Sequence, residues 1–171
     1  MKNKAFTGEI ISALVEFSGA YMEVFTNPRA SALYGYQNFL EDQQIGEKWR
    51  IKREIRALQE QRKIKMLKKQ GEVYIKLECD GWKDWFVQEM RTNRNMLPSG
   101  MELLVSYDIP ESAFTSRQTF RNLLRSIGFE RRHRSVWCTQ RNIASELGEF
   151  IRVSKLAGWV DIYTVQKIDA N

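Results

Sequence analysis

Ten Lys and Arg against three Glu fall within residues 47–70, a local charge of +7 in a 171-residue chain whose total is +6. Cations concentrated on a short segment are the footprint of a phosphate-backbone ligand, because each Lys or Arg brought to a duplex releases condensed counterions. Within this block Lys52, Arg53, Arg56 and Gln59 recur at helical spacing beside the apolar Ile51, Ile55 and Leu58, with Arg62 and Lys63 continuing the polar side. Arginine and glutamine can read guanine and adenine edges bidentately, whereas lysine mainly adds phosphate affinity. A solvated helix face is the competing reading, with about even weight. Lys65, Lys68 and Lys69 follow in an extended run. A second candidate group is Arg131, Arg132, His133 and Arg134, in which alternation would put Arg132 and Arg134 on one strand face, suited to phosphates or equally to ion pairs with Glu130 or Asp161. His133 is the chain's one histidine and could exchange protons near neutral pH; its arginine neighbours favour a polar strand residue instead. The third candidate is Asp108, a lone acid at the end of the apolar run Leu103–Tyr107, where it could cap the turn made by Ile109-Pro110.

Elements that would position these residues can be read from pattern. A long helix is expected over Phe6–Phe25, a second after Pro28 carrying Leu33, Tyr36, Phe39 and Leu40, and a third, basic one over Lys48–Lys63. Ile64–Lys69, a Gln70-Gly71 turn and the alternating Glu72–Leu77 form a β-hairpin. Three helices and a hairpin describe a winged helix-turn-helix, whose third helix enters the major groove while the hairpin touches backbone. A further helix begins at Asp80-Gly81, with Trp82 and Trp85 as packing residues. The domains expected are a winged-helix domain over residues 1–92, a linker over 93–100 marked by Pro98, Ser99 and Gly100, and a second domain over 101–171.

The second domain reads strand, helix, strand, strand, helix, strand. Its first strand ends at Pro110, Thr115 and Gln118 form a capping box, Gly128 supplies a left-handed cap, Phe129–Thr139 is extended, a helix runs from Asn142 to a stop at Gly158, and Trp159–Ile168 alternates as a last strand. The fold class is therefore α+β, with a ferredoxin-like βαββαβ arrangement after the winged helix. At 43% hydrophobic and 12% aromatic residues, the chain can bury a core. No apolar run approaches the roughly 18 residues of a membrane span, which leads us to expect no membrane and a cytoplasmic location. Cys79 and Cys138 are too few and too far apart for a structural zinc site and are expected to be free thiols.

Tyr107-Asp108-Ile109-Pro110-Glu111, Arg117, Arg121, Gly128-Phe129 and Ser135-Val136-Trp137 together resemble the central domain of PaaX-type transcriptional repressors. The run is similar also to the small CRISPR adaptation subunit, Cas-two, which shares that fold. The first half resembles the winged-helix module that precedes such domains in the repressors. The resemblance implies a homodimer that binds double-stranded DNA, with transcriptional regulation as the leading function. Its alternative is a Cas-two-like scaffold that presents DNA to a CRISPR integrase subunit. In that second family the aspartate matching Asp108, one from each chain of a dimer, is associated with Mg²⁺ and phosphodiester cleavage. Asp108 would on that reading be catalytic and metal-binding, in a Mg-dependent nuclease. Otherwise no cofactor is expected.

Overall fold

The computed structural model describes residues 11, 34–35, 48–69 and 72–168, and the chain divides into two compact units, 1–85 and 86–171. Both contain helices and sheets, so the α+β class holds. In the first unit the described elements are β1 (Tyr34–Gly35), α1 (Lys48–Glu60), β2 (Ile64–Lys69) and β3 (Glu72–Leu77). A further helix, α2 (Cys79–Thr92), begins here, and the division between units falls within it.

The hairpin of β2 and β3 has a register fixed by its apolar side. Ile64 pairs with Leu77 and Met66 with Ile75, which buries Ile64, Ile75 and Leu77 on one face. β1 adds to β3 through Tyr34–Ile75 and Gly35–Tyr74, giving an antiparallel sheet in the order β1-β3-β2. This corrects the expected second helix, because Tyr34 and Gly35 are strand residues. Gly35 is a poor helix former, and pairing with β3 supplies the backbone bonds a helix would otherwise have made. Of the expected first helix only Ile11 is described, helical and fully buried. The rest of that helix, the remainder of the second and the Gln70-Gly71 turn lie outside the described residues.

Gly81 sits where α2 leaves the hairpin, and its lack of a side chain is required. A Cβ there would stand 2.3 Å from the Lys63 carbonyl oxygen and 2.8 Å from Leu77 Cδ2. That carbonyl already accepts the Glu78 N–H at 2.9 Å. Trp82 and Trp85 are both buried and meet edge to face at 5.8 Å, the packing role read from the sequence.

The second unit contains β4 (Met101–Tyr107), a 3-10 turn (Glu111–Ala113), α3 (Phe114–Ser126), β5 (Glu130–Arg131), β6 (Val136–Thr139), α4 (Ala144–Val153) and β7 (Val160–Gln166). Its four strands lie in the order β5-β6-β4-β7, all neighbours antiparallel, with β4 inside and the last strand beside it. With one helix before β5 and one before β7, this is the ferredoxin-like arrangement. Leu103, Val105 and Tyr107 alternate into the core, and α3 lies against them, the Tyr107 and Phe120 rings meeting edge to face at 5.5 Å. The other face of β4 carries Glu102, Leu104 and Ser106, all half-buried.

Three local expectations change. The Thr115–Gln118 capping box is absent: α3 starts at Phe114 without a side-chain cap, because the 3-10 turn runs directly into it. Gly128 does end α3 in the left-handed region at φ 89°, its N–H bonded to Arg125 O and that of Phe129 to Leu124 O. α4 instead stops before Gly158: Lys155 takes the left-handed position at φ 58°, with Leu156 N–H bonded to Ile151 O. Residues 132–135 form a turn rather than an extended strand, since the Val136 carbonyl accepts the N–H of both Arg132 (2.9 Å) and His133 (3.1 Å). Within residues 93–97, Asn95 O accepts Asn142 N–H at 2.9 Å and Leu97 N–H donates to Gln140 O at 2.7 Å.

Candidate nucleic-acid interface

α1 is amphipathic in the way its spacing requires. Ile55 and Leu58 are 2% and 1% exposed, while Lys52, Arg53, Arg56 and Gln59 are all exposed. Ile and Leu thus fix the helix by their burial and leave the cations turned to solvent. Glu60 ends the helix, and Arg62 then occupies a left-handed position at φ 57°, with its N–H on Gln59 O at 2.9 Å and the Lys63 N–H on Leu58 O at 2.9 Å. This closure turns the chain into β2 without a glycine.

The basic residues that follow are not equivalent. Lys63 is committed to the fold: its ammonium lies 2.6 Å from Asp84 on α2, and its own side chain is only 22% exposed. Lys65 and Lys68 are exposed, but one residue of offset plus two puts them on opposite faces of the hairpin. Lys65 stands opposite Lys76, and Lys68 opposite Val73. Lys69 lies in β2 opposite Glu72, and its side chain is outside the described residues.

In the second unit, Arg132 turns back onto the sheet, reaching Glu102 at 3.3 Å and Glu130 at 3.9 Å. The Glu102 carboxylate raises the guanidinium pKa above its ordinary value, with a contribution from the Cys138 side chain. Burial pushes the Cys138 thiol up, and the same Glu102 charge adds to it. Arg134 and His133 are exposed in the turn. The arginines expected to share a strand face therefore do not, and Arg132 is engaged in an ion pair within its own chain.

The turn is held from below by residues of the motif quoted above, through bonds that their spacing did not announce. Tyr107 Oη accepts from Arg121 Nε at 2.8 Å and from Trp137 Nε1 at 3.4 Å, and donates to the Arg134 carbonyl at 3.2 Å. Arg117 approaches Glu111 at 3.7 Å. Arg141, by contrast, is marked by no sequence signal. Its guanidinium donates to the carbonyls of Ile127 (2.5 Å), Met90 (2.5 Å) and Asn93, joining the end of α3 to the end of α2. A lone Arg after Thr139-Gln140 carries no pattern that would single it out.

Asp108 is exposed at the end of β4, and its N–H donates to Trp159 O at 2.8 Å. The expected turn bonds to its carboxylate do not form among the described residues; the turn is closed instead by Ala113 N–H on Pro110 O at 3.0 Å. No group of three or more His, Cys, Asp or Glu that could hold a metal ion occurs among the described residues. Asp108 offers one carboxylate, which is a fraction of a magnesium shell. No helix among the described residues is long and apolar enough to cross a membrane.

Residues 100–171 match the family model of the PaaX protein central Cas2-like domain. Neither a curated protein nor a solved structure matches the chain.

Proposed function

We propose that this chain, whose residues 100–171 carry the PaaX-type central Cas2-like domain, binds double-stranded DNA as a homodimer and acts as a PaaX-like transcriptional regulator. The observation that carries the reading is α1, where Lys52, Arg53, Arg56 and Gln59 are exposed over a buried Ile55 and Leu58. A helix held by one apolar stripe and charged elsewhere can be inserted into a groove without disturbing its own packing. The sheet order β1-β3-β2, with α1 leading directly into the hairpin, supports a winged-helix reading of the first unit. The half-buried face of β4 and the exposed Tyr163 on β7 support pairing of two copies through their sheets. A two-fold dimer would present two reading helices to one duplex, so the site should be palindromic or repeated.

The test is the full chain with Arg53→Ala and Arg56→Ala together, titrated against mixed-sequence duplexes over a range of salt. Loss of two phosphate contacts should weaken binding and lower the slope of log affinity against log salt by about 1.8. Sedimentation should give a dimer. Unchanged affinity and slope would refute α1 as the contact, and would favour a Cas2-like scaffold, which would hold the duplex on residues 100–171 and act with an integrase partner. A monomer indifferent to every duplex would refute DNA binding altogether.

A further inference from the structure

Arg117, Arg121 and Arg125 follow one another at single-turn intervals along α3, a helix whose sequence contains no acid. Residues so spaced share one flank, here the flank beside the buried Phe120 and Leu124. Two of these arginines are set in place by aromatic residues of the sheet. Arg121 Nε donates to Tyr107 Oη at 2.8 Å, and Arg125 lies over the Trp137 ring, 5.6 Å from its centroid. Tyr107 Oη also accepts from Trp137 Nε1, so both guanidiniums are gathered on the same indole. Neither is used up by these contacts. Arg121 spends its Nε–H on Tyr107, and Arg125 donates from Nη1 to Asn122 Oδ1 at 3.1 Å, which leaves the other terminal N–H groups for a further acceptor. Arg117, at the head of the row, has its Nε wholly buried without a hydrogen-bond partner, and its terminal nitrogen comes no nearer than 3.7 Å to Glu111, whose side chain is 95% exposed. The fold thus fixes a cation there while leaving it poorly satisfied.

We infer that Arg121 and Arg125, with Arg117 at the head of the row, form a binding site for the phosphoryl group of a small ligand. The site lies within residues 100–171 and does not depend on the DNA-binding reading above. Two guanidinium forks side by side call for two negative charges and for more acceptor oxygens than a carboxylate offers, and a phosphoryl dianion supplies both. Because Tyr107 and Trp137 already hold the forks, little side-chain freedom is lost on binding. The row is also recessed, Arg117 being 23% exposed and Arg121 half-buried. A small anion can enter such a place, whereas the convex backbone of a duplex is better met by protruding cations.

The test is calorimetric titration of the full chain with pyrophosphate at constant ionic strength, with acetate as the carboxylate control. Wild-type protein should bind pyrophosphate and not acetate. Arg125→Gln, a change at an exposed residue that leaves the Tyr107 bonds in place, should weaken binding by about tenfold, the equivalent of one charge-assisted hydrogen bond. Arg121→Gln together with Arg125→Gln should abolish it. Arg125→Lys keeps the charge without the fork and should recover only part of the affinity. A wild-type protein that does not take up pyrophosphate, or that takes up acetate equally well, overturns the inference, as does an Arg125→Gln variant of undiminished affinity. A mixed-sequence duplex that displaces pyrophosphate from the Arg53→Ala and Arg56→Ala variant overturns the small ligand and makes α3 a duplex contact. None of these titrations measures α1, which the salt slope tests, so the two proposals fail separately.

Discussion

Replacing Arg141 tests how the second unit is held together. The side chain is half-buried, and its guanidinium reaches three main-chain carbonyls, those of Ile127, Met90 and Asn93. Ile127 and Met90 lie at the ends of α3 and α2, where carbonyls have no partner within their helix. A hydrogen bond to a charged group contributes roughly 1.5–3 kcal/mol, but three such bonds from one side chain do not add, and water can reach part of this site. Arg141→Met, which keeps the stem and deletes the fork, should therefore cost about 3 kcal/mol of stability. For a unit of this size that lowers the unfolding midpoint by on the order of 10–20 °C. Arg141→Lys keeps the charge but cannot span the carbonyls, and should fall between the two. Urea unfolding of the full chain gives the energy. Hydrogen exchange gives the place: the Leu97 and Asn142 amides, bonded to Gln140 O and Asn95 O, should lose protection first. A methionine variant within about 0.5 kcal/mol of wild type would mean that the guanidinium contributes no more than an ordinary surface contact, and would refute the clamp.

Gly81→Ala should destabilise the first unit by roughly 2 kcal/mol despite alanine's better helix propensity, because the new Cβ meets a main-chain carbonyl that cannot turn aside; a variant melting with the wild type would show that the start of α2 can shift. Thiol labelling at pH 8 should modify exposed Cys79 in the native protein and reach Cys138 only after unfolding, since the latter is buried and its pKa is raised. A thiol whose folded pKa is raised stabilises the fold below its unfolded value of about 8.5 and ceases to do so as pH rises through the folded value. Wild-type stability should accordingly fall more steeply above about pH 9 than that of Cys138→Ala; parallel declines would refute the assignment.

How much of this was legible depended on whether the signal was periodic. The buried alternation of Leu103, Val105 and Tyr107, the Ile55 and Leu58 stripe and the left-handed Gly128 all follow from spacing or from glycine's backbone freedom. Helix ends made by other residues did not show: Arg62 and Lys155 close α1 and α4 in the same conformation as Gly128, and neither residue type announces it. Tyr34 and Gly35 were misread because apolar spacing over a short stretch cannot distinguish a helix from a strand whose partner lies 40 residues away. The candidate site divides along the same line. Exposure of Lys52, Arg53, Arg56 and Gln59 was readable from the helix period, whereas the commitment of Lys63 to Asp84 and of Arg132 to Glu102 depends on elements brought together only by folding.

Asp108 shows why a residue's position and its chemistry must be argued separately. The strand end is held by its main chain, through the N–H to Trp159 O, and among the described residues the carboxylate makes no bond in the turn. One carboxylate is a small share of a magnesium shell, the rest of which waters and substrate phosphates would have to supply, and the described residues bring no cluster of acids to it. The resemblance to Cas-two implies a second carboxylate supplied by another copy of the chain. Cleavage and dimerisation are therefore coupled: a nuclease activity through Asp108 must vanish in Asp108→Asn and also fall with dilution below the dimer's dissociation constant. Cleavage that survives dilution to the monomer would refute a site built from two paired aspartates.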